Sequence, residues 1–286
     1  VMKLVDEIPF EKYNDVEGIL SLVRENNGIG NDNVEPIQYF HCFWKGKVTD
    51  LHLMCLQSLK KVHPNSTIFL WTPNALEVQG SESWVKIRKA IRDKIILSEI
   101  THDHFKHANA SGLYLNYHSL TSQGEKKGYD HNVAYASDIV RFVVLYLYGG
   151  VWFDLDILFT KSLDSIKIKR YVSQWGGEPC GNAAILRLEK GHDIIQNVLG
   201  KYNPPFYPTS TFRLENDLDI TILPGSLFDI HWQVTDHNPR GSHLLSFRNW
   251  DEFFEMEELK LPDEIYGYHW HNRWSYATPP FFKEER

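Results

Sequence analysis

The sequence predicts an α/β fold: a mostly parallel sheet flanked by helices. Two observations predict it. Over the first hundred residues, short apolar strands alternate with amphipathic helices, the order expected of βαβ units. Further on, a long amphipathic helix from Asn132 to Tyr148 stops at Gly149-Gly150 and runs straight into another apolar strand.

Each element has its own warrant. Residues 11 to 26 read as a helix with Ile19, Leu20, Leu22 and Val23 in its second half, broken by Gly28 and Gly30. Gln38 to Trp44 is a short aromatic-rich strand, and Thr49 or Asp50 caps a helix over residues 51 to 62, which Pro64 ends. Ser66 to Trp71 is a second buried strand. Residues 83 to 97 read as a helix, with Trp84, Val85, Ile87, Ile91 and Ile95 as its apolar positions. The polar, His-rich stretch 101 to 131 reads as an irregular, solvated excursion rather than a metal site, because its spacing is loose. After the long helix, Val151 to Phe159 is a strand. Asn182 to Leu186 is another, Gly191 to Tyr202 a helix, and 203 to 216 a Pro- and aromatic-rich loop. Asp219 to Leu223, Phe228 to Trp232 and Tyr266 to His271 are short strands. No linker-like shift divides the chain, so residues 1–286 are expected to form a single domain.

Composition narrows the function. With 30 Lys+Arg against 37 Asp+Glu the net charge is -7, which argues against a dedicated nucleic-acid binder. The three cysteines have no short spacing, so free thiols in a reducing compartment are expected rather than disulfides or structural zinc. The most apolar run, Phe142 to Phe153, is too short to span a bilayer, and Val1 to Phe10 lack an apolar leader core. A soluble, cytoplasmic protein is the expectation. Aromatic residues make up 14% of the chain; most should be core, the rest platforms for flat ligands.

The chemistry concentrates in Ser137-Asp138-x-x-Arg141 and, after the double glycine, Val151-Trp152-Phe153-Asp154-Leu155-Asp156. On a strand, Asp154 and Asp156 would point to the same face. Two carboxylates on one side of a buried strand end repel and are costly to desolvate. A divalent cation relieves both problems. Mg²⁺ or Mn²⁺ accepts hard oxygen ligands and keeps positions open for phosphate oxygens, so it would neutralise a departing nucleoside diphosphate.

These residues, from Ala136 to Asp156, resemble the glycosyltransferases defined by a sugar-binding region containing a DXD motif. That group includes initiating mannosyltransferases, capsular-polysaccharide transferases and, more distantly, the large cytotoxin glucosyltransferases. Gln38 to Gly46 is similar to the family's first strand, and His269-Trp270-His271-Asn272-Arg273-Trp274 to its closing segment. The resemblance implies a GT-A fold, a Rossmann-like sandwich that binds a nucleotide sugar and a divalent metal. It implies that Trp44 stacks on the nucleobase and that Ser137 and Arg141 contact the nucleotide or its sugar. Asp138 and Asp154 would hold sugar hydroxyls, making Asp138, Asp154 and Asp156 the catalytic set. Asp156 would ligate the metal, aided by Asp154 and by His269, His271 or Asn272. Trp152, where the family mostly has Tyr, joins Trp274 and Asn182 as candidates for the pocket wall.

The function expected on this basis is transfer of a hexose from a UDP- or GDP-sugar, UDP favoured, to a hydroxyl of a glycan or other acceptor. The family mostly retains anomeric configuration. Two rivals exist. One is a non-catalytic nucleotide-sugar binder using the same residues. The other is a haloacid-dehalogenase-like phosphatase, whose first Asp would be the nucleophile. The latter fits poorly, since Leu158 stands where Thr or Val belongs and the strand lies mid-chain.

Overall fold

The protein's computed structural model describes residues 3–4, 34–91, 94–122, 131–175, 180–200, 211–213, 218–229 and 265–269. Within them the strands are β1 (Lys3–Leu4), β2 (Tyr39–Phe43), β3 (Thr67–Thr72), β4 (Ile95–Glu99), β5 (Gly150–Phe153), β6 (Ile157–Phe159), β7 (Tyr171–Gln174), β8 (Gly181–Leu188), β9 (Thr221–Leu223) and β10 (Gly267–His269). The helices are α1 (Asp50–Val62), α2 (Ala75–Gln79), α3 (Glu82–Ile91), α4 (His102–His107), α5 (Ser111–Ser122), α6 (His131–Tyr148) and α7 (Asp193–Gly200).

The main sheet has the order β1-β9-β7-β8-β5-β2-β3-β4. β5, β2, β3 and β4 are mutually parallel, as are β1, β9 and β7, while β8 runs antiparallel to both its neighbours. β10 and β6 form a separate antiparallel pair. This is the mostly parallel, helix-flanked α/β sheet that the sequence predicts.

Strand alternation divides the core between the two faces of the sheet. On one face Phe40, Val151 and Phe153 pack with Cys55, Leu56 and Leu59 of α1 and Trp84, Ile87 and Ile91 of α3. On the other, Phe43, Trp71 and Trp152 pack with Ile139, Val140, Phe142 and Val143 of α6 and Ile194, Ile195 and Val198 of α7. Truncating any of these large side chains to Ala would cost about 2–5 kcal/mol.

The α6–β5 junction is tight. Gly149 has φ +65° and Gly150 φ +102°, both left-handed. A Cβ on Gly149 would sit 2.7 Å from the Lys190 nitrogen, and one on Gly150 2.5 Å from the Tyr39 carbonyl oxygen. Glycine is therefore required twice, by backbone conformation and by close approach.

Several expectations need correction. Residues 83 to 97 are not one helix: α3 ends at Ile91, and Ile95–Glu99 is β4, an edge strand parallel to β3. Its Ile-Ile-Leu run favours a strand, and pairing with β3 outweighs the helical spacing of Ile91 and Ile95. The His-rich stretch is not irregular, because 102–107 and 111–122 are the helices α4 and α5. Phe105, Leu113 and Tyr117 anchor them in the core, an apolar pattern obscured by the intervening polar residues. The Val151 to Phe159 strand is interrupted between β5 and β6, and of the expected Phe228 to Trp232 strand the described residues, Phe228 and Asp229, lie in no strand. The expected 11-to-26 helix and most of the 203-to-216 loop lie outside the described residues.

Candidate active site

The sheet order reverses at β2. From β2, strands β3 and β4 follow outward on one side, and β5 lies on the other. In open α/β sheets the crevice beyond the carboxyl ends of the strands at such a switch point is the usual ligand site. Trp44 directly follows β2, and Asp154 directly follows β5.

The Asp-x-Asp triplet does not lie on a strand. Residues 154 to 156 form a turn between β5 and β6, so side-chain alternation cannot explain how its acids converge. The turn is held from outside instead. The Asp154 amide donates to the Ala184 carbonyl at 2.9 Å, and the Cys55 thiol of α1 reaches the Leu155 carbonyl at 3.4 Å. β10 pairs His269 with Ile157, which brings the imidazole beside the triplet. His269 Nε2 lies 3.0 Å from Asp156 Oδ1.

Asp154, Asp156 and His269 each offer one ligand atom, and these atoms lie within 4.8 Å of one another. Two carboxylates and an imidazole at that span suit one divalent cation of the Mn²⁺ type, which accepts both oxygen and imidazole nitrogen.

Arg141 ties α6 to this turn. Its Nη2 lies 3.0 Å from Asp138 Oδ1, one helical turn earlier, and 3.2 Å from Asp154 Oδ1; its Nη1 donates to the Ala183 carbonyl at 2.9 Å. Trp152 Nε1 also donates to Asp154 Oδ1, at 2.9 Å, and the Arg141 guanidinium lies over the Trp152 ring, 5.3 Å from its centroid.

The Ala183 carbonyl is delivered by a bulge. Between Val172 and Gln174 the β7–β8 register shifts, and Ala183 adopts φ +60°. A non-glycine residue there is uncommon and costs free energy that the surroundings must offset. Asn182 Oδ1 accepts from Ser173 Oγ at 2.6 Å and from the Ala184 amide at 2.8 Å, while Ser173 Oγ accepts from the Ile185 amide at 3.1 Å. Two polar side chains thus replace the ladder bonds that the bulge removes.

Burial dominates the electrostatics. It pushes the Asp138 carboxyl up to about 7, against the downward pull of Arg141, with Asp154 adding to the rise. Burial likewise raises Asp154, opposed by Arg141 and reinforced by Asp156. At His269, burial alone would lower the pKa, but Asp156, together with Asp229 and Asp154, overcomes it and lifts the imidazole to about 9. Closely packed buried acids thus draw positive charge into the site.

The remaining candidates fall as follows. Trp44 is half-buried, its Nε1 donating to the Lys47 carbonyl at 3.0 Å and its ring 4.0 Å from that of His52. Ser137 is half-buried on α6 beside Asp138. Trp152 is fully buried on the α6 face, so its ring is core and only its N–H serves the site. Asn182 is half-buried in the bulge. His271, Asn272 and Trp274 lie outside the described residues. Sequence reasoning missed His52, Ser173 and Ala183. Of these only His52 left a trace, standing three residues after the capping Thr49, whose amide donates to its Nδ1 at 2.9 Å.

Residues 49–173 match the family described as "Glycosyltransferase sugar-binding region containing DXD motif". The match contains Asp138, Arg141, Asp154 and Asp156. The matched segment spans less than half of the chain. No curated protein matches the sequence. Among solved structures, the PaToxG glycosyltransferase is 17% identical over 68% of this chain and 70% of its own, with a TM-score of 0.45. The UDP-bound glycosyltransferase domain of the YGT toxin is 12% identical over 58% of this chain and 61% of its own, TM-score 0.39. The chain thus spans about three fifths of that domain. The galactosyltransferase LgtC, in complex with donor and acceptor sugar analogues, is 14% identical over 66% of this chain and 74% of its own, TM-score 0.38.

Among the described residues no helix is long and apolar enough to cross a membrane.

Proposed function

We propose that the protein is a metal-dependent hexosyltransferase acting on a nucleoside-diphosphate sugar, UDP-linked in preference to GDP-linked. The hexose passes to a hydroxyl of a glycan or other acceptor with retention of configuration. The observation that carries this reading is the convergence of Asp154, Asp156 and His269 within 4.8 Å beyond the end of β5, beside the switch point of the sheet. Asp156 and His269, with Asp154, would hold the cation, Mn²⁺ fitting the mixed oxygen and nitrogen donors better than Mg²⁺. When bound, the cation supplies charge neutralisation for the diphosphate leaving group.

The chain's own groups do the rest. Trp44, half-exposed beyond β2, offers a ring face to the nucleobase. Asp138 and Asp154, both held by Arg141, would accept hydrogen bonds from sugar hydroxyls. Ser137, Asn182 and Trp274 belong to the donor pocket on this reading, and His271 and Asn272 remain candidate ligands. The net charge of -7 agrees with a substrate recognised through a cation and not through a basic patch. Residues 1–286 act as one catalytic domain.

The test is a panel of nucleoside diphosphates and their sugars, read by thermal shift and by release of free nucleotide, with Mn²⁺ and with chelator. One nucleotide should stabilise the protein only when metal is present, and Asp156→Ala should abolish that response while leaving the circular dichroism unchanged. Binding indifferent to Asp156→Ala would refute the metal assignment. Binding without release of nucleotide from any sugar donor would favour a non-catalytic nucleotide-sugar sensor.

A further inference from the structure

Asp154 Oδ1 receives two fixed donors. Trp152 Nε1–H reaches it at 2.9 Å, and Arg141 Nη2 at 3.2 Å. Neither donor is free to leave. Trp152 is fully buried between β2 and β8, its ring under the Arg141 guanidinium. Arg141 is itself buried and anchored by Asp138 and by the Ala183 carbonyl. A carboxylate oxygen has two in-plane lone pairs, and two donors occupy them. The Asp154 amide, bonded to the Ala184 carbonyl at 2.9 Å, fixes the backbone below the carboxylate, so the side chain has little freedom to rotate.

We propose that Trp152 is a positioning residue that, with Arg141, saturates Asp154 Oδ1 and so commits Asp154 to the cation through Oδ2 alone. The inference rests on the cation reading above. The substrate does not meet the indole ring; Trp152 acts through Asp154, and its indole nitrogen supplies a donor that phenylalanine could not. The arrangement sets an orientation for Asp154 before any ligand arrives, which lowers the ordering cost of assembling the site.

Two substitutions read this out by calorimetric titration of the purified protein with Mn²⁺ alone. Asp154→Asn keeps one oxygen, and the Trp152 and Arg141 donors hold that oxygen at the Oδ1 position. The amide NH₂ must then face the cation. Asp154→Asn should therefore weaken Mn²⁺ binding as severely as Asp154→Ala, although the first retains the hydrogen bonds and the second loses them. Trp152→Phe keeps an aromatic ring and removes the N–H; it should weaken Mn²⁺ about tenfold, as loss of a ligand-orienting group commonly does. A packing role alone would lower the melting temperature and leave Mn²⁺ affinity unmoved. Mn²⁺ affinity within about twofold of wild type in either Asp154→Asn or a folded Trp152→Phe overturns the proposal. If Trp152→Phe does not fold, Asp154→Asn decides alone. Failure of the wild-type protein to bind Mn²⁺ would instead refute the cation reading on which the inference rests.

Discussion

His41 of β2 donates from Nε2 to the Gly149 carbonyl at 2.9 Å and accepts at Nδ1 from Trp71 Nε1 at 3.1 Å. The first bond fastens the turn that launches β5 to the neighbouring strand. The second fixes the neutral tautomer, since a protonated ring could no longer accept from Trp71. Burial drives the His41 pKa down to about 4, although the Gly149 bond partly opposes it. Above about pH 6.5, the usual His value, both folded and unfolded states are neutral and this stability is complete. Below it the unfolded chain takes up a proton that the folded state refuses, so stability falls until the folded pKa is reached. The loss between pH 6.5 and 4 approaches ~3 kcal/mol for this residue. His41→Gln can still donate and accept but does not titrate. Urea unfolding at both pH values should show a smaller acid-induced loss in the variant, and equal losses would refute the assignment.

The double glycine yields a second prediction. Gly150→Ala combines φ +102° with a Cβ 2.5 Å from the Tyr39 carbonyl oxygen. Gly191→Ala has φ +72° and open space around its Cβ. The second should cost only the left-handed penalty, about 1 kcal/mol. The first adds a backbone clash that must move β2 or β5 and should cost at least ~3 kcal/mol, or leave no folded protein. Melting temperatures of the two variants test the difference; similar losses would mean that the contact relaxes.

Arg141 is the hub of the buried charges. Removing it leaves the Asp138 and Asp154 carboxylates facing one another and the Ala183 carbonyl without its donor. Arg141→Ala should therefore destabilise the protein by about 3–5 kcal/mol. Arg141→Lys should recover little, because an ammonium cannot span three acceptors as the planar fork does. Denaturant midpoints of the two variants measure this. A Lys variant close to wild type would show that net charge, and not the fork, is what the site needs.

What was legible in the sequence follows from the range of the interactions. The long helix, the glycine stop and the strand β5 are local features, and their periodicity and punctuation were enough. Asp154 and Asp156 stand out in the sequence as a close carboxylate pair, but the geometry expected of them differs from the one they adopt. The apolar run reads as a continuous strand, whereas the acids sit in a turn whose shape is imposed by Ala184, Cys55 and β10. Such contacts join residues far apart in the chain and leave no spacing to read. The resemblance and its aromatic character point Trp152 to the pocket wall, yet its neighbours across β2 and β8 bury it and leave only its N–H at the site. The strand Ile95–Glu99 was lost to a helical spacing that happened to continue the pattern of α3.

Ser173 shows how a residue with no motif can matter. Its hydroxyl donates to Asn182 Oδ1 and accepts from the Ile185 amide, bridging the two sides of the bulge that presents Ala183 to Arg141. Ser173→Ala removes both bonds with little change in volume, leaving a buried amide unpaired, at a cost of about 1–3 kcal/mol. The bulge would then lose its support, and the strained Ala183 could relax toward ordinary strand geometry. That would withdraw the carbonyl from Arg141 and loosen Asp154. Ser173→Thr can keep the hydroxyl bonds. Ser173→Ala should accordingly weaken Mn²⁺ binding as well as stability, while Ser173→Thr restores both to the extent that its extra methyl is accommodated. Loss of stability with unchanged Mn²⁺ affinity would confine the bulge to a structural role and detach it from the geometry of the site.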